Sequence, residues 1–377
     1  MTVVFAISGH GFGHASRVIE VINALLARRP QARVEVRTSA PRWLFDLTVR
    51  GPFGFTEVRG DVGVVQIDSL RLDIPATLRC AAEFYGTFTE RALVEARALA
   101  ALGARLVVAD VPPLAFAAAA RAGVPAVGLT NFTWEWIYEG YVRGDRELAW
   151  IPETIREAHA AAEEAWRLPL GGGFAGFRRV ADLPFVARHS RRTAEAVRRG
   201  LGLPADHPVV LVSFGGFGLE GLPLAQVAAD GRFAVVTTDA PGPGDAAALP
   251  RSDVVRRTAD GLFVVDERAL YAHGWRYEDL VAAADVVVTK PGYGIVSECI
   301  ANRTAVLYTA RGEFAEYDAL VAGMPRHLRC AFIDHGDLLG GRWLPHLEDV
   351  LAQPPPPEYP ATNGAEIAAE RIVARLG

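Results

Sequence analysis

Two short stretches of this chain carry residues whose types and spacing could do chemistry. The first is SGHGFGHASR (8–17), which sets His10 and His14 among Gly9, Gly11 and Gly13. An imidazole titrates near neutrality and can take a proton from a substrate hydroxyl. A glycine turn running into a helix offers backbone N–H groups to negative charge. His14 immediately precedes that helix, whose dipole disfavours an imidazolium there. The pattern leaves open which of the two histidines is the base, and whether either is more than a hydrogen-bonded loop residue. A dinucleotide fingerprint would read GxGxxG with an acid closing the second strand. This loop reads GxGxG and RVEVRT (33–38) ends in threonine, so no NAD site is expected.

The second stretch is TKPGYGIVSE (289–298), which holds Lys290, the only lysine in 377 residues. All other basic residues are arginines. An ammonium is a compact point charge and a guanidinium a broad planar fork, so a tight loop needing one close contact would not accept the exchange. Lys290 is therefore expected to contact a phosphate, with chance retention as the alternative. Gly292 and Gly294 thin the loop around Tyr293, and Ser297 and Glu298 fall in the helix that follows. A further glycine turn, VSFGGFG (212–218), offers the amides of Gly215 and Gly216 to an anion.

Such loops must be held at strand ends. Apolar β-branched runs alternate with alanine-rich helical periods, the signature of βα units on a parallel sheet. Strands are expected at 3–8, 33–38, 105–110 and 124–129, with helices over 15–28, 77–102 and 114–122. The register breaks over 168–190, where glycine and proline cluster. A second series follows at 208–214, 233–238, 261–266, 285–289 and 304–309. QPPPPEYP (353–360) reads as a stiff connector, and GAEIAAERIVARL as a last helix. The fold class is thus α/β, two doubly wound Rossmann-like domains over 1–185 and 186–360 with a terminal helix over 361–377. In such sheets ligands bind beyond the carboxyl ends of the strands, so a cleft between the domains is where chemistry is expected.

Composition narrows the function classes. The net charge of −5 and the lack of a long basic stripe argue against nucleic acid as a partner. Cys80, Cys299 and Cys330 are too few and too scattered for a disulfide framework or zinc site. No apolar run reaches a membrane span, and the start MTVVFAIS lacks a basic leader. A cytoplasmic protein is expected; oligomeric state is not legible.

The GH opening the first helix after a glycine turn resembles the GT-B nucleotide-sugar glycosyltransferases. The resemblance implies a GT-B fold with the terminal helix returning to the first domain. It also implies that His14 activates an acceptor hydroxyl and that Asp110, closing VVAD, orients it. In the second domain it implies that the glycine turns hold a diphosphate, Glu298 takes the ribose hydroxyls, and Glu316 and Asp318 of RGEFAEYDAL (311–320) contact the donor sugar. Loops such as SGHGFGHASR, TNFTWEWIYEGY (130–141), FGG, KPGYGIVSE and NGAEIAA (363–369) together resemble the glycosyltransferase-like region of plant L-arabinokinases and stand-alone bacterial relatives, over about residues 3–372. The sugar-kinase phosphate loop of those proteins has no counterpart here, so no kinase activity is implied.

On the acceptor side, Trp134 could stack on a ring, with Trp136, Tyr138 and Tyr141 beside it; Asn131 and Glu135 could bond hydroxyls. An ordinary aromatic cluster is the alternative. Arg17, Gln66 and Asp68 lie in segments that also resemble the family. The expected activity is inverting glycosyl transfer from a nucleotide-diphosphate sugar, UDP-type favoured, to a small acceptor. No metal and no further cofactor are expected. The alternatives are a nucleotide-sugar 2-epimerase or hydrolase acting on donor alone, and a non-catalytic nucleotide-sugar sensor.

Overall fold

The computed structural model describes residues 1–215, 219, 221–239 and 254–377. Continuous apolar runs with every residue buried, such as Thr2–Ile7, form central strands covered on both faces by helices. The first sheet comprises β1 (Thr2–Ile7), β2 (Arg33–Thr38), β3 (Gly54–Glu57), β4 (Ala104–Asp110), β5 (Ala126–Phe132), β6 (Glu164–Gly172) and β7 (Val180–Asp182). Its order is β3-β2-β1-β4-β5-β6-β7, with every pairing parallel.

The second sheet comprises β8 (Val209–Ser213), β9 (Ala234–Asp239), β10 (Val255–Ala259), β11 (Leu262–Asp266), β12 (Val286–Thr289), β13 (Ala305–Tyr308) and β14 (Cys330–Phe332). Its order is β10-β11-β9-β8-β12-β13-β14, parallel except where β10 lies antiparallel on β11.

The strand order reverses between β1 and β4 in one sheet and between β8 and β12 in the other. Such switch points open crevices at the carboxyl ends of the strands. The histidine loop leaves β1, with Asp110 in register with Ile7 on the neighbouring β4. Lys290 leaves β12, and Gly215 follows β8. Topology alone therefore delivers each reactive loop to a crevice.

The helix Phe12–Arg28 buries Ala15, Val18, Ile19, Ile22 and Leu25 along one stripe. Onto it packs the terminal helix Gly364–Leu376, which buries Ala365, Ala368, Ala369, Ile372 and Leu376. The chain reaches it through a bridge of Asn363 to Val186 and a bond from Gly364 N–H to the Phe185 carbonyl. The last helix thus returns to the first lobe.

Three local expectations need correction. The first helix begins at Phe12 rather than Ala15, so His14 lies inside its first turn instead of preceding it. The helix foreseen over 77–102 is two, Ile74–Gly86 and Phe88–Ala101, because Thr87 turns out of helical geometry at φ −111° directly after Gly86. The stretch 168–190 is not wholly irregular, since it carries the end of β6 and all of β7. Leu170 adopts a left-handed φ of 57° there, and the β5–β6 register shifts between Thr130 and Phe132. A bulge disrupts alternation while keeping pairing, which hides the strand from a periodicity reading.

Candidate active site

The two crevices face one another across a single cleft with a cavity of about 490 Å³, lined from the first lobe by His10, Gly13, His14, Arg17 and Gln66 and from the second by Lys290, Gly292, Tyr293, Gly294 and Arg311. Close approach of the lobes is the physical reason for one of its glycines: a Cβ on Gly294 would lie 3.2 Å from the Gly13 Cα. Contacts along the rim hold the lobes together. Lys290 Nζ donates to Gln66 Oε1 at 3.3 Å, Ser69 Oγ to the Phe214 carbonyl at 2.9 Å, and Tyr141 O–H to the Glu313 carbonyl at 3.0 Å.

On the front wall, His14 Nδ1 lies 2.9 Å from Asp110 Oδ1, with both side chains buried. Arg17 grips the same carboxylate as a fork, Nε to Oδ2 at 2.5 Å and Nη2 to Oδ1 at 2.6 Å. Burial alone would raise the Asp110 carboxyl, yet Arg17 and His14 beside it hold it below the usual carboxylate range. With Asp110 accepting from Nδ1–H, the free lone pair of the His14 ring is on Nε2. Arg17 Nη2 stands 2.9 Å from Nδ1 and already compensates the carboxylate. Asp110 therefore acts chiefly by fixing the tautomer of His14, which directs Nε2 as the acceptor.

His10 is engaged differently. Val64 N–H donates to its Nδ1 at 3.3 Å, which puts the ring proton on Nε2; the Gln66 amide nitrogen 3.3 Å from Nε2 is itself a donor and does not accept it. Burial, then the charges of Arg311, His14 and Lys290, push His10 well below its ordinary range. The ring is neutral with its lone pair occupied, held edge-on to Trp134 at 5.3 Å and stacked near Phe314 at 6.5 Å.

On the back wall, burial and then the charge of Arg311 push Lys290 down to about 7. Arg311 spends Nη1 on Glu316 at 3.0 Å and covers the Phe314 ring at 4.3 Å, and among the described residues its buried Nε has no partner. Lys290 and Arg311 make this end of the cleft a cationic pole. At the other end the carboxylates of Glu267 and Glu298 line the wall around Arg188. Arg188 donates to Glu298 Oε1 at 2.6 Å, and its Nη1 stands 3.7 Å from Glu278. Burial pushes both Glu267 and Glu298 up to about 7 against the pull of Arg188. Three carboxylates around one guanidinium make this end hungry for hydrogen-bond donors.

The structure places several expected residues elsewhere. Trp134 is fully buried and donates Nε1–H to Asp61 Oδ2 at 2.8 Å, so it is a core ring under His10 rather than a stacking platform. Glu135 is sealed in an ion-pair cluster with Arg156 at 2.9 Å and His159 at 3.3 Å. Asn131 is spent between the lobes, accepting from Arg17 Nη1 and donating to Glu316 Oε1, both at 2.7 Å. Glu316 lines the cleft, but each of its oxygens already has a donor, Asn131 on one and Arg311 on the other.

Asp318 is exposed and away from the cleft lining. Ser297 Oγ bonds back to the Gly294 carbonyl within its own helix at 2.9 Å. Asp68 caps a tight turn through Leu70 N–H, Arg71 N–H and the Arg71 side chain. Glu298 does line the cleft, with Oε1 held by Arg188. Among the other aromatics, Tyr138 is buried with its O–H on the Gly63 carbonyl and Trp136 lies against Gly172 and Gly173. Gly215 lines the cleft; Gly216 lies outside the described residues. Arg311, Arg188, Glu267, Tyr271 and Tyr277 also line the cleft and are given no role by the sequence. The one available signal was position, since Arg311 and Glu267 each fall just after a strand of the second series.

Among the described residues, no helix is long and apolar enough to cross a membrane. No group of three or more histidine, cysteine, aspartate or glutamate residues is arranged there to hold a metal ion.

Two facing doubly wound lobes with a terminal helix crossing back define the GT-B fold. Similar solved structures include the glycotransferase of kitacinnamycin (15% identity, TM-score 0.60, covering 99% of this chain and 98% of that one). SnogD from Streptomyces nogalater is another (17% identity, TM-score 0.53, covering 100% and 99%). A third is UGT2 of Phytolacca americana, solved with UDP-2fluoro-glucose and pterostilbene (13% identity, TM-score 0.57, covering 99% and 94%). At these identities the likeness is one of fold. No protein-family model matches the chain. In sequence it is 32% identical over 383 residues to L-arabinokinase of Arabidopsis thaliana, an alignment covering 97% of this chain and 34% of that protein. The chain thus spans about a third of the length of that relative.

Proposed function

We propose that the protein is a glycosyltransferase that moves a sugar from a nucleoside-diphosphate donor to a small hydroxyl acceptor, with His14 as base, inversion at the anomeric carbon and no metal requirement. The observation that carries this reading is the presence of His14 and Lys290 on opposite walls of one cleft, each on a glycine loop at a switch point. The bipolar wall suits a donor lying across the strand ends of the second sheet, its diphosphate at Lys290 and Arg311 and the hydrogen-bond donors of its nucleoside end at the carboxylates.

In the reaction, His14 Nε2 takes the acceptor O–H proton as that oxygen bonds to the anomeric carbon. The bond from that carbon to the diphosphate oxygen breaks, and its electron pair leaves with the diphosphate. The sugar passes through an oxocarbenium-like state, as in glycoside hydrolysis. Lys290, Arg311 and the amides of the 292–294 loop stabilise the growing charge on the leaving group in a site shielded from water. These cations supply the neutralisation a metal ion would otherwise provide. Holding both substrates in one closed cleft contributes the remainder through proximity.

The Lys290 pH profile tests the reading. The lysine enters the complex protonated but is half-deprotonated near pH 7 in the free protein. Above that pH binding must recruit a proton, so donor affinity should fall with slope up to about tenfold per pH unit until the pKa of the bound state is reached. Glu267 and Glu298 also titrate near 7 with the opposite sign, since hydrogen-bond donors of the ligand prefer the ionised carboxylates. The Lys290→Arg profile retains only their contribution, and its difference from wild type isolates the lysine. Calorimetric affinities of a nucleoside diphosphate between pH 6 and 9 should therefore diverge as pH rises. Parallel profiles for wild type, Lys290→Arg and Lys290→Met would remove the lysine from the diphosphate site.

A further inference from the structure

Glu267 follows the carboxyl end of β11 and lines the cleft with 8% of its surface exposed. Among the described residues its carboxylate makes no hydrogen bond or ion pair. Arg188, the nearby guanidinium, spends its close contacts on Glu298. A buried carboxylate facing a cavity without a donor is costly unless a ligand supplies one.

Its position says which part of a ligand that is. From β12, which carries Lys290, the sheet steps through β8 and β9 to β11, three strand spacings or about 14 Å. A diphosphate at Lys290 puts the far end of the nucleotide here. The lining at this end is apolar and ring-like, with Phe214, Leu222, Leu224 and Tyr271 around Thr237 and Thr238, a slot for a flat heterocycle rather than a sugar.

We propose that Glu267 reads the edge of the donor's nucleobase and selects guanine. Guanine presents two parallel donors, N1–H and the exocyclic amine, which match the two oxygens of a carboxylate as a charge-assisted pair. Uracil and thymine present one N–H between two carbonyls, so a carboxylate meets lone pairs on both sides of a single hydrogen bond. Adenine offers one donor beside a bare ring nitrogen. The inference rests on the nucleoside-diphosphate reading above, and it departs from the uridine donor that the family resemblance suggests.

Isothermal titration of GDP, IDP and UDP at pH 8, for wild type and Glu267→Gln, tests it. Wild type should bind GDP tightest. IDP, which lacks the exocyclic amine, should bind roughly tenfold more weakly, the worth of one hydrogen bond to a charged group. UDP should be roughly 100-fold weaker than GDP on the same scale. In Glu267→Gln, GDP should lose roughly 30-fold while UDP gains, because an amide both donates and accepts. A merely structural glutamate would weaken all three ligands together. UDP binding as tightly as GDP, or a GDP-to-UDP ratio unmoved by Glu267→Gln, overturns the base assignment and leaves the nucleotide reading standing. Failure of every nucleoside diphosphate to bind wild type overturns both.

Discussion

Replacing His14 with alanine is expected to lower turnover by ~10³-fold, the middle of the range for general-base catalysis, while the affinity for a nucleoside diphosphate stays within about twofold. The separation follows from the geometry. His14 stands on the first lobe with Nδ1 pinned to Asp110, whereas the cations proposed for the diphosphate stand on the second. Removing the imidazole therefore deletes the proton acceptor and leaves the leaving-group site intact. His10→Ala serves as the control. Its lone pair is taken up by Val64 N–H, so its loss should loosen the loop and cost far less in turnover. Steady-state kinetics with parallel calorimetry would check both. A His14→Ala enzyme within tenfold of wild type, or one that loses nucleotide binding in proportion, would contradict the assignment of the base.

The second large effect concerns Asp110. Its carboxylate is buried and shared by Arg17 and His14. Asp110→Ala leaves the Arg17 guanidinium in the interior without its counter-ion, and the expected loss is ~3–5 kcal/mol of stability, typical of breaking a buried pair from one side. Arg17→Met on its own exposes the converse defect. The double variant removes both charges, so it should recover a sizeable part of the lost stability while remaining inactive, because His14 then lacks the partner that sets its tautomer.

The pair also carries a pH signature. The Asp110 carboxyl is held below its ordinary range in the folded protein, so its stabilisation is fully present at neutral pH. It fades as acid takes the pH down through the folded pKa. Denaturant unfolding of wild type and the three variants at neutral and acidic pH would measure this. Additive losses in the double variant would mean that the two residues do not act as a unit.

How much of this was legible in the sequence depends on what each residue type reveals. Buried parallel strands are unbroken apolar runs, so β1, β2, β4, β5 and the central strands of the second sheet were readable, as were the glycine turns beyond them. His14 and Lys290 stood out because few residue types can do their chemistry and their loops sit at strand ends. The direction of a side chain is not written in its type. Trp134, Glu135 and Asn131 lie in a segment rich in sugar-binding residue types, yet all three point into the protein and pair there. Arg17 read as an acceptor-side residue, while its real partner is 93 positions away on β4. Arg188 and Arg311 were invisible among so many arginines, since a charge gains meaning only from the cavity it faces. Glu267 was hidden for the same reason, and what marks it out is its lack of a partner among the described residues.

The proposed transfer needs both lobes at once, so the most direct measurement is product formation by the wild-type protein from a nucleotide-sugar panel, with and without a panel of small hydroxyl acceptors, followed by mass spectrometry. The predicted result is a new glycoside with inverted anomeric configuration and release of nucleoside diphosphate, both dependent on acceptor and both lost in His14→Ala. Sugar release or epimerisation from donor alone, or tight donor binding with no product from any acceptor, would contradict it.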